Sequence, residues 1–182
     1  MERTIVVDAS IARSSGTTEH PVSKACRDFL QEIYSVGHKA AFDAVLMAEW
    51  RKHQSGYALR WFGLMQSRRR VVSVKCPTVD RKYLAKLIDQ AKDLSLKEQQ
   101  AALKDTHLVH CAWVTDDLVS SLDDTVRNIF TFLSRKCGRV GGIVWVNPSK
   151  IEEGSTAWLK AGARTEEERK LKNRSLDGRW EA

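Results

Sequence analysis

Ile5-Val6-Val7-Asp8-Ala9-Ser10 is the stretch from which the fold is read. Its first three residues are β-branched, favour extended backbone and read as a short buried strand. The run stops on an acid. On its C-terminal side, Ser14-Ser15-Gly16-Thr17-Thr18 is a polar loop, and Pro21 suits the first turn of a helix. Val22, Cys26, Phe29, Leu30 and Ile33 follow at helical spacing until Val36-Gly37-His38. Lys39 to Phe42 is a second short strand, and Asp43 caps a helix that carries Val45, Leu46 and Glu49. A further helix spans Tyr57 to Gln66, before Val71-Val72-Ser73-Val74, a third strand broken by Cys76-Pro77-Thr78. Leu84, Leu87, Ile88 and Ala91 mark one helix face. Ser95 and Glu98 have capping-box spacing and open a helix expected to run through Asp105 toward Trp113. Leu118 to Ser121 is a strand, Val126, Ile129, Phe130 and Leu133 mark a helix, and Gly138 to Gly142 is expected as a turn before the strand Ile143-Val144-Trp145-Val146. Helices alternating with short apolar strands predict an α/β layered fold with a mostly parallel sheet. After Pro148 apolar residues thin out. Residues 1–149 are therefore expected as one domain, and 150–182 as a charged C-terminal tail or appended helix.

Composition agrees with one globular domain: 182 residues, 42% of them hydrophobic and 29% charged, suffice for a core. No window approaches the roughly 18 apolar residues of a membrane span, and no secretory signal opens the chain, so no membrane partner and a cytoplasmic location are expected. Cys26, Cys76, Cys111 and Cys137 show no CxxC spacing, which argues against zinc and against a disulfide framework. Cys26, Cys111 and Cys137 sit among apolar residues and read as small core hydrophobes. The formal net charge of +7 favours polyanionic partners such as nucleic acid.

Against that basic background, certain acids stand in awkward places. Ala101, Leu108, Val109 and Ala112 share a helix face with Asp105, so a stripe that should pack on the sheet carries a carboxylate. Glu49 repeats the pattern, with Val45 and Leu46 four and three residues before it. Asp8 and Asp123 each come at or just past the C-terminal end of an apolar strand, where open α/β sheets bind ligands. Each acid alone has a plainer reading: Asp8 as a turn cap, Asp123 or Asp124 as the cap of the helix near Thr125. Four acids from four segments could instead converge on one crevice, and all-oxygen ligation suits Mg²⁺ or Mn²⁺ rather than zinc.

The residues resemble those of the PIN-domain nuclease family, whose VapC-like members are toxins held by an antitoxin. Ile5-Val6-Val7-Asp8-Ala9-Ser10 looks like the family's opening strand, an acid followed two residues later by Ser or Thr. Ala44 to Glu49 resembles its Glu-bearing helix, Lys104 to Val109 its third acidic motif, and Leu118 to Asp123 its strand followed by Ser/Thr-x-Asp. The resemblance covers residues 3 to 147. It implies a three-layer PIN-like sandwich, with a mostly parallel central sheet flanked by helices. It further implies that Asp8, Glu49, Asp105 and Asp123 hold one or two Mg²⁺ or Mn²⁺ ions for phosphodiester hydrolysis, with Ser10 and Ser121 orienting carboxylates or water. The expected activity is that of a metal-dependent ribonuclease, a toxin of a toxin–antitoxin pair among the roles it allows, with RNA as substrate, a protein antitoxin and a homodimer as partners. A DNA-acting nuclease and a non-catalytic RNA- or protein-binding scaffold are the alternatives. Asp116 and Asp124 are alternates for the fourth ligand.

Lys104, beside Asp105, and the run Arg68-Arg69-Arg70 are candidates for substrate phosphates, the latter behind Tyr57, Trp61 and Phe62. Against this, Trp61 and Phe62 suit a core and the arginines a solvated helix end. His107 could assist proton transfer or be structural. The glycines at 138, 141 and 142 precede a strand rather than follow one, which is the wrong context for a phosphate loop.

Overall fold

A computed structural model describes residues 2–176. Five short strands, β1 (Thr4–Val7), β2 (Lys39–Phe42), β3 (Val71–Ser73), β4 (Leu118–Ser120) and β5 (Val144–Val146), form one sheet in the order β3-β2-β1-β4-β5. Every pairing between them is parallel, with Ile5 opposite Ala40 and Val6 opposite Val119. A parallel sheet is covered on both faces, which is why its central strands read as unbroken apolar runs rather than alternating ones. Ile5, Val6, Val7, Val119 and Val144 are wholly buried.

Ten helices are present among the described residues: α1 (Ala9–Ser14), α2 (Pro21–Val36), α3 (Ala44–His53), α4 (Gly56–Ser67), α5 (Thr78–Asp89), α6 (Leu96–Lys104), α7 (Thr106–Trp113), α8 (Asp124–Ser134) and α9 (Gly138–Gly141) between strands, and α10 (Ser155–Lys160) after β5. Helix α2 packs with α1, α4 and α10. A second group joins α5 to α6 and α7, and α6 to α8, with α7 against β1 and β4. This is an α/β architecture consistent with a three-layer sandwich. Predicted local signals are visible in it. Pro21 opens α2, Gly37 closes it at φ 96°, Asp43 accepts from the Leu46 N–H at 2.8 Å, and Ser95 and Glu98 form the capping box.

Two expectations of local structure are corrected, and one helix is added. The helix predicted to pass through Asp105 is two helices, because Asp105 (φ −100°, ψ 13°) closes α6 and opens α7. The Thr106 hydroxyl, bonded to the Leu103 carbonyl at 2.9 Å, satisfies part of the broken turn. Gly138 to Gly142 forms the short helix α9 instead of a simple turn. Ala9–Ser14, unassigned from sequence, is helix α1.

The segment after residue 150, expected as a charged tail or appended helix, packs back on the domain. It contains α10 and short 3₁₀ turns at Ile151–Glu153, Glu167–Arg169 and Leu171–Asn173, and it buries Trp158, Leu159, Leu171 and Leu176. Residues 177–182 of that expected tail lie outside the described residues. The charges serve the packing. Buried Arg127 pairs with Glu153 at 2.5 Å, and Arg174 donates to the Trp145 carbonyl at 3.0 Å. His38, fully buried, accepts at Nδ1 from the Arg3 N–H (3.1 Å); its proton is therefore on Nε2, which donates to the Leu159 carbonyl at 3.0 Å. No helix among the described residues is long and apolar enough to cross a membrane. All four cysteines are buried thiols, and burial pushes Cys26 and Cys111 up to about 12.

Candidate functional site

The strand order reverses at β1. The chain steps outward from β1 through β2 to β3, then crosses back to place β4 on the other side of β1. Side connections diverge at such a point and leave a crevice beyond the C-terminal ends of the two strands. Asp8 follows β1, and Ser121, Leu122 and Asp123 follow β4. A cleft of about 170 Å³ lies there, lined by Asp8, Ala9, Ser10, Arg13, Glu49, His53, Lys104, Asp105 and Asp123. That is less than the roughly 300–1,000 Å³ usual for a cofactor and is of a size for an ion with a few waters.

Asp8 is the most firmly built member. Its backbone N–H donates to the Ser120 carbonyl at 2.9 Å, and the Val7 carbonyl before it accepts from Trp50 Nε1 at 2.7 Å. Although Asp8 occupies the cap position of α1, its side chain does not cap the helix. Instead, Oδ2 accepts from Ser10 Oγ at 2.5 Å and from Ser121 Oγ at 2.7 Å. Each hydroxyl is oriented in turn. Ser10 Oγ accepts from the Leu122 N–H and Ser121 Oγ from the Asp123 N–H, both at 3.1 Å. Two donors thus lock one carboxylate oxygen, and Oδ1 has no hydrogen-bond partner among the described residues.

Asp105 reaches the cleft because the α6–α7 break stands at the start of a helix packed on β1 and β4. Its carboxyl is pushed up to about 6, chiefly by burial and then by the Asp8 charge, with Asp123 adding to the effect; His107 and Lys104 oppose it. The N-terminal dipole of α7 favours the anion, but burial and the neighbouring acids outweigh it. Asp123 combines two readings of its sequence position. Its Oδ1 caps α8 by accepting from the Val126 N–H at 2.9 Å, and it also lines the cleft. Glu49 projects from α3, which Trp50 anchors beneath, and its Oε2 lies 3.5 Å from His107 Nε2.

All four predicted acids therefore line one cleft. Their side chains do not form a ready-made coordination sphere: no three His, Cys, Asp or Glu side chains among the described residues stand together as a metal site. The donors are nonetheless of the right kind for a hard cation. They are carboxylate oxygens, and one carboxyl, that of Asp105, is raised in pKa by burial first and then by its acidic neighbours. Mg²⁺ keeps several waters and takes one or two carboxylates directly, so a sphere completed by water fits this cleft.

The alternates are elsewhere. Asp116 is at the opposite, N-terminal edge of the sheet, where it accepts from the Thr4 N–H at 2.7 Å and from Arg3 at 3.2 Å. Asp124 is consumed by Asn147, Arg127 and Lys150. Burial pushes its carboxyl up, but these partners together hold it below the usual range. Arg68, Arg69 and Arg70 precede β3 and so also lie at the N-terminal edge, far from the acids. Arg70 donates to the Tyr34 carbonyl at 2.8 Å and covers the Tyr34 ring. Lys104 does line the cleft and is exposed.

Sequence reasoning missed Arg13 and His53, both exposed on the rim. A signal for each was present. His53 is four residues after Glu49 and Arg13 three after Ser10, so each shares a helix face with a site residue. No protein-family profile, curated protein or solved structure matches the chain.

Proposed function

We propose that this protein is a PIN-type, divalent-metal-dependent nuclease that hydrolyses RNA. One observation carries the reading. Asp8 is clamped by Ser10 and Ser121 at the topological switch point, with Asp105, Glu49 and Asp123 lining the same cleft. Acids crowded in this way, with one carboxyl raised to about 6, are the arrangement expected where a cation will neutralise them. Asp8, Asp105, Glu49 and Asp123 would hold Mg²⁺ or Mn²⁺, directly or through water. When bound, the ion supplies Lewis-acid activation of the phosphodiester and of water. The chain's own residues do the rest. The two hydroxyls keep Asp8 in one rotamer and leave its other oxygen free for an ion. Arg13, Lys104 and His53 ring the acids with groups that meet backbone phosphates and offset repulsion between substrate and carboxylates.

A second reading is a PIN-like scaffold that binds RNA or protein without cleaving it; in its favour, no three acids among the described residues stand together as a ready-made metal site. One experiment separates the two. Single-stranded RNA and DNA are incubated side by side with Mn²⁺, Mg²⁺ or chelator, using the wild type, Asp8→Asn and Asp105→Asn. RNA cleavage that needs metal and both acids is the expected result. Cleavage undiminished in Asp8→Asn defeats the nuclease reading, binding without turnover favours the scaffold, and preferential DNA cleavage corrects the substrate.

A further inference from the structure

Helices α6 and α8 pack against each other, and a second hollow of about 230 Å³ lies between them, lined by Ser95, Lys97, Glu98, Ala101 and Thr125. It neighbours the acidic cleft along both walls. On α6, Ala101 stands one turn before Lys104, which lines the cleft; on α8, Thr125 stands two residues after Asp123, which lines it as well. Lys97, Ala101 and Lys104 are four and three residues apart, so they project from one line along α6. Both lysines are exposed. Seven residues of helix separate them by about 10 Å, and the phosphates of one stacked strand follow one another at about 3.4 Å. The two ammonium groups are thus spaced for phosphates about two to three nucleotides apart. The acids nearby are engaged. Glu98 accepts from the Ser95 N–H at 2.8 Å and the Ser95 hydroxyl at 2.6 Å, and Asp124 is paired with Arg127 and Lys150. With Lys97 and Lys104 against Glu98, the α6 wall keeps a positive charge. Across the acids, Arg13 and His53 stand in the last turns of α1 and α3. Cations therefore flank the acids on two sides, and on the α6 side their row continues into the second hollow.

We infer that this hollow is a substrate subsite. A single RNA strand whose scissile phosphate lies over the acids runs on between α6 and α8. Lys97 meets a phosphate about two to three nucleotides beyond the one at Lys104, and the intervening nucleoside lodges against Ala101 and Thr125, whose small side chains leave it room. The inference rests on the nuclease reading above and adds a substrate class to it: single strands long enough to reach Lys97. Two packed helices have axes about 8–10 Å apart, so the depression between them takes one strand and not a duplex.

The test measures binding rather than cleavage. Unlabelled oligouridylates of three and ten nucleotides compete with a fluorescent decamer for the full chain, in chelator and in Ca²⁺, with the wild type, Lys97→Ala, Lys97→Arg and Arg68→Ala. A trinucleotide, with two adjacent phosphates, does not span from Lys104 to Lys97. Lys97→Ala is expected to weaken the decamer about three- to tenfold, to lower the slope of log Kd against log salt by about 0.7, and to leave the trinucleotide within about twofold of wild type. Lys97→Arg keeps the charge and should keep the affinity, and Arg68→Ala, at the opposite edge of the sheet, should change neither strand. Equal losses for both lengths, an unaffected decamer, the same loss in Arg68→Ala, or a wild type that binds the decamer under neither condition overturns the inference. A second measurement locates the strand: decamers carrying 4-thiouridine are expected to cross-link on irradiation to residues 97–104, and cross-links confined to other surfaces refute the path. Metal-dependent cleavage with no Lys97 effect removes the subsite and leaves the nuclease. The Lys97 pattern without cleavage upholds the strand path and removes the nuclease.

Discussion

Ser121 Oγ donates to Asp8 Oδ2 at 2.7 Å, joining two residues 113 apart in the chain at the point where β1 and β4 both end. The register that pairs Val7 with Ser120 brings them together. A hydroxyl donating to a carboxylate forms a charge-assisted bond, stronger than a neutral one. Here it commits one oxygen of Asp8, Oδ2, to the two serine hydroxyls.

Removing that clamp should loosen the site more than the fold. Ser121→Ala and Ser10→Ala are each expected to lower metal affinity or activity about 10- to 100-fold, the usual range for residues that orient a ligand. Ser121→Thr keeps the donor and should retain more. Isothermal titration with Mn²⁺ and a cleavage assay check this. Full affinity in the Ser10→Ala/Ser121→Ala double variant would show that Asp8 needs neither hydroxyl.

Asp105 should make the metal-free protein less stable as pH rises. Its folded-state pKa is raised from 3.8 to about 6, so the folded chain holds the proton more tightly than the unfolded chain. Stability from this group is highest below about pH 4, falls between pH 4 and 6, and stays lower above that. About two pKa units set a ceiling of about 3 kcal/mol, which solvent in the open cleft reduces to about 1–2 kcal/mol. Asp105→Asn should therefore melt higher than wild type near pH 7 without metal, and Mn²⁺ should raise the melting temperature of the wild type alone. Denaturation series at pH 4, 5, 6 and 7 test the sign, and a variant less stable at pH 7 would contradict it.

The cationic rim should act on binding. Arg13→Ala and Lys104→Ala are expected to raise KM for RNA several-fold with a smaller change in kcat, and to flatten the salt dependence by about one unit of slope per lost phosphate contact. Arg68→Ala, at the other end of the sheet, should leave both unchanged. Equal effects of Arg68→Ala and Lys104→Ala would move the substrate path away from the cleft.

Cutting the chain at residue 150 should unfold it. The lost segment buries Trp158, Leu159, Leu171 and Leu176. At about 1.5–3 kcal/mol for each large side chain, the loss reaches about 6–12 kcal/mol as an upper estimate, comparable with the whole stability of a domain. It also strips His38 of the Leu159 carbonyl and Arg127 of Glu153. Circular dichroism of the truncated chain is the measurement, and a cooperative, native-like melt would mean that the segment is an accessory.

Local signals were legible where short-range chemistry decides the outcome. Val6 and Val7 read as buried strand, Pro21 and Gly37 bound a helix, and Ser95 with Glu98 caps another, because each depends on neighbours a few residues away. Asp105 was legible as an acid on an apolar face, although the break at that residue was not: a helix end is set by what it packs against as much as by propensity. The charged segment after Lys150 looked like a tail because its apolar residues are sparse. What makes it part of the core is the pairing of Arg127 with Glu153 and the insertion of Trp158 and Leu171, none of which leaves a periodic signal.

The sequence by itself determined the α/β alternation and singled out Asp8, Glu49, Asp105 and Asp123 as acids in unusual places, since these follow from side-chain chemistry and spacing along one segment at a time. Only the tertiary structure decided that the sheet order reverses at β1 and that Asp8, Glu49, Asp105 and Asp123 share one cleft. It also showed Asp116 and Arg68 to Arg70 at the opposite end, and His107 behind Glu49. Those are distances between segments far apart in the chain, and the register of parallel strands and the packing of helices on them set such distances.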